Sequence, residues 1–133
     1  YGHFSMGRIR LLNMALDSIE ISDNGKVSMM SLTEEMLRQT ETQSEDADGL
    51  INYARRIKDV KMAALIHEFT NGDGPGQPGG RHHHVSLRSD GSVDVAAIAA
   101  AYGGGGHTTA AGFNIDASMV EIKAKIMTLA ERL

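Results

Sequence analysis

The chain has 133 residues, and its 13 Lys and Arg against 17 Asp and Glu give it a formal net charge of −4. This length suits one domain, and 41% hydrophobic with 23% charged residues is typical of a globular protein rather than a disordered one. The absence of cysteine excludes disulfides, thiolate metal sites and a cysteine nucleophile, while the acidic balance disfavours a nucleic-acid-coating surface but permits a local phosphate site.

The first forty residues predict a helix, a hairpin and a second helix. Apolar residues at helical spacing indicate an amphipathic helix over 7–16, with a stripe at Ile9, Leu12 and Leu16. The dipeptide Asn24-Gly25 lies between two short alternating runs and is a strong local signal for a β-hairpin. Thr33, followed by two glutamates, predicts the start of the next helix.

The middle of the chain predicts two strands joined by a loop. Residues 41–48 are a polar, acidic loop, and helical periodicity returns over 50–57. Residues 60–69 indicate a buried strand, and the glycine- and proline-rich segment 71–80 indicates a flexible loop. Residues 82–89 alternate, which predicts a half-buried strand with an apolar and a polar face.

The last forty residues predict further helices around a glycine run. Ser92 or Asp94 can cap a helix, which the four glycines 103–106 end. We expect a short helical turn over 107–111 and a short strand over 113–115. The last helix follows the capping box formed by Ser118 and Glu121, with an apolar stripe at Ile122, Ile126, Leu129 and Leu133. These elements predict a single α/β domain, with a mixed central sheet of about five strands flanked by helices.

The glycine run is the first candidate site. Gly104, Gly105 and Gly106 precede His107, and glycines at a helix start would let backbone N–H groups converge on an anion, helped by the helix dipole. His107 would direct a ring nitrogen at the same ligand. The alternative, a helix C-cap followed by a linker, carries equal weight from the residues alone.

Arg88 and Ser89 are the second candidate. A guanidinium on the polar face of a strand is a rigid, two-pronged ligand for phosphate or carboxylate. An isolated strand arginine is more often only a surface residue, but its combination with the glycine run favours a binding role.

Other polar clusters give weaker signals. His82 and His84 share a strand face, but without a neighbouring carboxylate or thiolate they indicate an exposed strand start rather than a metal site. The pair His67-Glu68 at a strand end is more simply a rim position. The basic run from Arg55 to Lys58 suits a helix C-terminus and suggests phosphate contact only weakly.

Three segments carry a family resemblance: SLRS at 86–89, VDVAAIA at 93–99 and GGGGHTTAAGF at 103–113. Together they resemble the C-terminal DHH-associated domain of the DHH phosphoesterase superfamily. The chain is most similar to the nano-RNase and pAp-phosphatase (RecJ-like) type, whose members hydrolyse short oligoribonucleotides and 3′-phosphoadenosine 5′-phosphate (pAp). The resemblance implies a connector helix over 1–17, leading from an upstream catalytic domain, and a substrate-binding domain over 18–133.

The resemblance also implies roles for individual residues. Arg88 and Ser89 would contact phosphate, Gly104 to Gly106 would allow close approach of the nucleotide, and His107 would lie near the scissile phosphate. No Asp-His-His motif occurs in the sequence. We therefore expect no catalytic or metal-binding residues in this chain, and a divalent metal, manganese in this family type, in a catalytic domain of the larger parent enzyme.

The expected partners are a short RNA or nucleotide and the upstream catalytic domain, with a homodimer also allowed. Because no apolar run approaches the ~20 residues of a membrane span, we expect a cytoplasmic protein with no membrane partner. Cyclic di-AMP, pApA and single-stranded DNA are alternative substrates within the family. A non-catalytic tRNA-binding module, as in the C-terminal domain of alanyl-tRNA synthetase, and a ligand-free interaction domain are the alternatives outside it.

Overall fold

The central sheet has six strands within residues 4–69 and 82–133, which are the residues that the computed structural model describes. The strands are β1 (Glu20–Ile21), β2 (Val27–Leu32), β3 (Met62–Phe69), β4 (His82–Ser89), β5 (Gly105–His107) and β6 (Ala110–Ile115). Their order across the sheet is β1-β2-β3-β4-β6-β5, and β2 and β3 are the one parallel pair. The predicted mixed α/β sheet is confirmed, with six strands instead of about five.

Five α-helices in residues 4–69 and 82–133 pack on this sheet. They are α1 (Met6–Asp17), α2 (Glu34–Thr40), α3 (Ile51–Arg55), α4 (Val95–Ala100) and α5 (Met119–Ala130). The predicted caps are confirmed, because Thr33, Asp94 and Ser118 each accept backbone N–H bonds at the start of a helix. None of the helices in the described part of the chain is long and apolar enough to cross a membrane.

The predicted hairpin is confirmed, whereas the predicted buried face of the first helix is not. β1 and β2 pair antiparallel around the Asn24-Gly25 turn, as expected. In α1, however, the buried residues are Leu11 and Ala15, whereas Ile9 and Leu16 are 47% and 38% exposed. The predicted stripe was therefore wrong by part of a turn, because several apolar residues on this helix compete for the single face that the sheet covers.

Each face of the sheet carries its own core. On one face, α4 and α5 pack on β2, β3, β4 and β6 through residues such as Met62, Leu87 and Phe113. On the other face, α1, α2 and α3 pack on β2 and β3 through residues such as Met30 and Leu65. The second core contains no residue from β4, β5 or β6, so within the described residues these three strands carry no hydrophobic core on that side.

The glycine-rich segment does not form the helical turn expected over 107–111. Gly103 adopts a positive φ of 84°, and the Gly104 N–H bonds back to the Ala99 carbonyl at 2.9 Å, which ends α4. The chain then enters β5, which pairs with β6 as an edge hairpin. The predicted helix start at the glycines was therefore wrong, and so was the start of the following strand at 113.

Backbone bonds explain this hairpin. The carbonyls of Thr108 and Thr109, at the turn between β5 and β6, accept the N–H groups of Val95 and Ser89 at 3.0 Å each. The turn is thus bonded both to the start of α4 and to the end of β4. The predicted loop at 71–80 lies outside the described residues.

Candidate functional site

Arg88 and His107 lie on the same side of the sheet. Arg88 in β4 is opposite Ala110 in β6, and Ala110 is opposite His107 in β5. Directly paired residues project to the same face, so the two side chains belong to one row, separated by about 10 Å for two strand spacings. Arg88 is also opposite Ala63, which is a member of the core on the α1, α2 and α3 side.

The rest of that side forms a polar surface. It lies on β4, β5 and β6, which carry no hydrophobic core on this side within the described residues, and we call it the open face; its members are His84, Ser86, Arg88, Gly105, His107 and Asn114. Along β4 the residues pointing to this side are half-buried and alternate with fully buried ones, as the sequence predicts. Arg88 is restrained there because its Nη1 donates to the Leu87 carbonyl at 2.9 Å.

The three predicted glycines differ in the space that surrounds them. A Cβ on Gly104 would lie 2.1 Å from the Gly112 carbonyl oxygen, and one on Gly106 would lie 2.6 Å from that of Ala110, so both are required by close backbone packing. A Cβ on Gly105 would meet nothing within 4 Å. Gly105 therefore leaves space on the open face that the described part of the fold does not itself fill.

Ser89 lies on the opposite side of the sheet from Arg88. Its hydroxyl donates to the Val93 carbonyl at 2.8 Å and accepts the Gly91 N–H at 3.1 Å. Ser89 therefore shapes the turn between β4 and α4, and the structure does not place its side chain on the open face. The period of two along a strand contains this signal, since consecutive residues point to opposite faces.

His84 and Asn114 are open-face residues that sequence reasoning did not select. The ring Nδ1 of His84 lies 2.7 Å from Asn114 Oδ1, in a cross-strand pair. The imidazole also lies against Gly112, where an added Cβ would be 3.1 Å from His84 Nε2. The polar face of β4 already pointed to His84, but Asn114 could not be placed without the register of β6.

His67 extends this row into β3, where it is opposite His84. It is buried, and its ring stacks on Phe69 with 4.3 Å between the ring centroids. Burial, followed by the nearby His84 and His83, lowers the pKa of His67 from 6.5 to about 4. His67 is therefore neutral at physiological pH and adds no charge to the open face.

A metal centre is not evident in the described part of the chain. Across residues 4–69 and 82–133, no three His, Asp or Glu side chains are grouped so that they could hold a metal ion. The residues of the open face are cationic or neutral, and this donor set suits an anion rather than a cation.

These features describe a class of protein: a small α/β domain with a polar, cationic face on its mixed sheet. Residues 24–132 match the family described as the DHHA1 domain, and the chain belongs to that family, which is associated with DHH phosphoesterases. No curated protein sequence matches the chain.

Solved structures share the fold. An exopolyphosphatase-related protein from Bacteroides fragilis is 26% identical with a TM-score of 0.81, and the match covers 98% of this chain and 36% of that one. A pGpG-specific phosphodiesterase from Vibrio cholerae is 11% identical with a TM-score of 0.57, covering 96% of this chain and 40% of that one. The chain thus spans less than half the length of each of these two solved structures.

Proposed function

We propose that this chain is the substrate-binding domain of a metal-dependent phosphoesterase that hydrolyses short oligoribonucleotides and pAp. The observation that carries the proposal is the open face, on which Arg88, Gly105 and His107 come together beside unfilled space. Membership of the DHHA1 family supports a phosphoester substrate.

Each residue of the open face has a separate role in the proposed binding. The planar guanidinium of Arg88 can donate two parallel bonds to a phosphate. Gly105 lets the sugar and phosphate approach the backbone of β5, and His107 donates a ring N–H to the phosphate nearest the scissile bond. The predicted phosphate contact of Ser89 becomes indirect, because its hydroxyl is used to hold the turn beside Arg88.

The hydrolytic chemistry belongs to a part of the protein outside this chain. We propose that a catalytic domain preceding α1 holds the divalent metal, manganese, and that residues 1–17 connect it to the binding domain. The open face would then form one wall of the cleft in which a short RNA is bound. This arrangement is supported by the Bacteroides fragilis structure, of which the chain covers only 36%. We expect the whole protein to be cytoplasmic.

Removing Arg88 or His107 should weaken nucleotide binding. For Arg88→Ala and for His107→Ala we expect the affinities for pAp and for a dinucleotide to fall about tenfold. Each variant loses a hydrogen bond to a charged phosphate, and such bonds contribute ~1.5–3 kcal/mol, with the lower end expected at a site open to water. Titration calorimetry with the 133-residue chain measures this. Arg132→Ala, which removes an exposed arginine beyond α5, is the control; equal binding by all variants would reject the assignment.

Gly105→Ala separates binding from folding. The added methyl group meets no protein atom within 4 Å, so the free energy of unfolding should change by less than ~0.5 kcal/mol. The same methyl group occupies the space proposed for the nucleotide, and we expect at least a tenfold loss of pAp affinity. Unchanged affinity in a folded Gly105→Ala protein would mean that the nucleotide does not lie over β5.

A linear, 5′-phosphorylated dinucleotide such as pApA is the second candidate substrate. The name of the Vibrio cholerae relative, a pGpG-specific phosphodiesterase, motivates it. A competition experiment with pApA, cyclic di-AMP and pAp ranks their affinities for the open face. Binding of a tRNA by a chain that binds none of these three nucleotides would favour the tRNA-binding alternative.

A further inference from the structure

A second group of cations lies where the open face ends. Arg55 and Arg56 at the C-terminal end of α3, Lys61 before β3 and Arg88 in β4 line a cleft of about 160 Å³, together with Asp90. We call this the basic cleft. Asp90 is the one carboxylate among its lining residues, so four cationic residues line the cleft with a single acidic one.

This concentration of positive charge contrasts with the chain as a whole, which carries a net charge of −4. Within the described residues, the ion pairs formed by lysine or arginine are Arg38 with Glu35 and Lys123 with Glu20, and neither involves the cleft. Like charges held close together repel each other unless an anion lies between them. The cleft thus has the electrostatic character of an anion site.

Asp90 offsets only part of the positive charge of the cleft. Its carboxylate accepts the backbone N–H of Ser92 at 2.9 Å and also the Ser92 hydroxyl. These bonds, with a smaller contribution from Lys61, lower the pKa of Asp90. The carboxylate is therefore bound within its own turn, and no ion pair joins it to Arg55 or Arg56 in the described part of the chain.

The simpler explanation is that Arg55 and Arg56 only complement the C-terminal dipole of α3. That helix has five residues, from Ile51 to Arg55, and its dipole is small because few peptide units are aligned in it. The dipole also does not explain Lys61 and Arg88, which line the same cleft from the residue before β3 and from β4. A convergence from three elements favours a ligand over a local helix effect.

Arg88 connects the basic cleft to the open face. It lines the cleft and also stands in the row with Ala110 and His107, about 10 Å from His107 for two strand spacings. This separation is between backbone positions, and long side chains such as that of Arg88 can reach across part of it, so a nucleotide with phosphate groups on both its 3′ and 5′ oxygens can contact both sites. One phosphate would lie near His107 and the other beyond Arg88.

We propose that the basic cleft is a second anion subsite, in which Arg55, Arg56 and Lys61 bind a phosphate group of the substrate that is not hydrolysed. The inference rests on the proposed function of the open face and adds a selection rule to it. Ligands with two separated phosphates are favoured over those with one. The same chemistry would also accept a longer inorganic phosphate chain.

The test compares three probes: pAp, AMP and inorganic tripolyphosphate. We expect the 133-residue chain to bind pAp about tenfold more tightly than AMP. In Arg55→Ala/Arg56→Ala the pAp affinity should fall to that of AMP, while AMP affinity is unchanged. Lys58→Ala, an exposed charge on the same segment that does not line the cleft, is the matched control and should keep the preference.

The outcomes distinguish this inference from the proposed function. If Arg88→Ala weakens both nucleotides but the double variant still prefers pAp, the open face is retained and the second subsite is rejected. If the wild-type chain binds neither nucleotide, both fail. Tripolyphosphate binding that is lost in the double variant supports the subsite and assigns an inorganic phosphate chain to it. Because both arginines are exposed, thermal unfolding should show that the variant is folded.

Discussion

Replacing Gly104 by alanine should destabilise the domain by about 3 kcal/mol or more. The new Cβ would lie 2.1 Å from the Gly112 carbonyl oxygen and 2.6 Å from the Cβ of Phe113. Both neighbours belong to β6, whose Phe113 is part of the core beneath α4 and α5. No flexible side chain can move aside, so the edge hairpin must separate from α4 or the strand must shift.

Urea unfolding of the wild type, Gly104→Ala and Gly105→Ala measures this effect. The two variants add the same methyl group to adjacent positions, and the second meets nothing within 4 Å. We expect a large drop in the midpoint for the first and almost none for the second, with similar m-values. Equal stability of the two variants would contradict the packing that the structure shows around β5.

Acid should destabilise the domain through His67. Its folded pKa is about 4, against 6.5 as the ordinary value. Between these pH values the unfolded chain binds a proton that the folded chain excludes, so stability decreases as pH falls from 6.5 to 4. At ~1.4 kcal/mol per pH unit the loss from this one group is about 3 kcal/mol, complete near and below pH 4.

His67→Leu removes the titrating ring and places an apolar side chain at the same buried position on β3. We expect the variant to lose about 3 kcal/mol less than the wild type between pH 7 and pH 4. Carboxylates titrate over the same range, and the comparison of the two proteins cancels their contribution. His107→Ala, which removes an exposed histidine, is the control and should follow the wild type; a His67→Leu protein with the wild-type pH profile would contradict a buried, neutral His67.

The two effects bear on binding in different ways. Gly104 fixes the path of β5 and so the position of Gly105 and His107, whereas His67 is opposite His84 at the other end of the open face. Because His67 is neutral, the positive charge near the open face comes from Arg88 and from the other cations of the basic cleft. Positive potential is therefore concentrated at one end of the face, where we propose the phosphates bind.

Local patterns in the sequence were sufficient for much of this protein. The Asn24-Gly25 turn, the caps at Thr33, Asp94 and Ser118, and the alternation along β4 all act over a few residues, and each was confirmed. The same alternation also separates Arg88 from Ser89, because neighbouring strand residues face opposite ways. The family motifs at 86–89 and 103–113 pointed to the right domain family for the same reason: they are contiguous.

Only the tertiary structure decided how these segments meet. β5 consists of Gly105–His107, residues with little strand propensity of their own, and it exists because β6 supplies its backbone partners. The buried side of α1 depends on which face the sheet covers. The basic cleft joins residues 55, 56, 61 and 88, which converge only when α3, β3 and β4 are packed together. Composition and local spacing specify elements and their caps, but long-range pairing determines which charges share a surface.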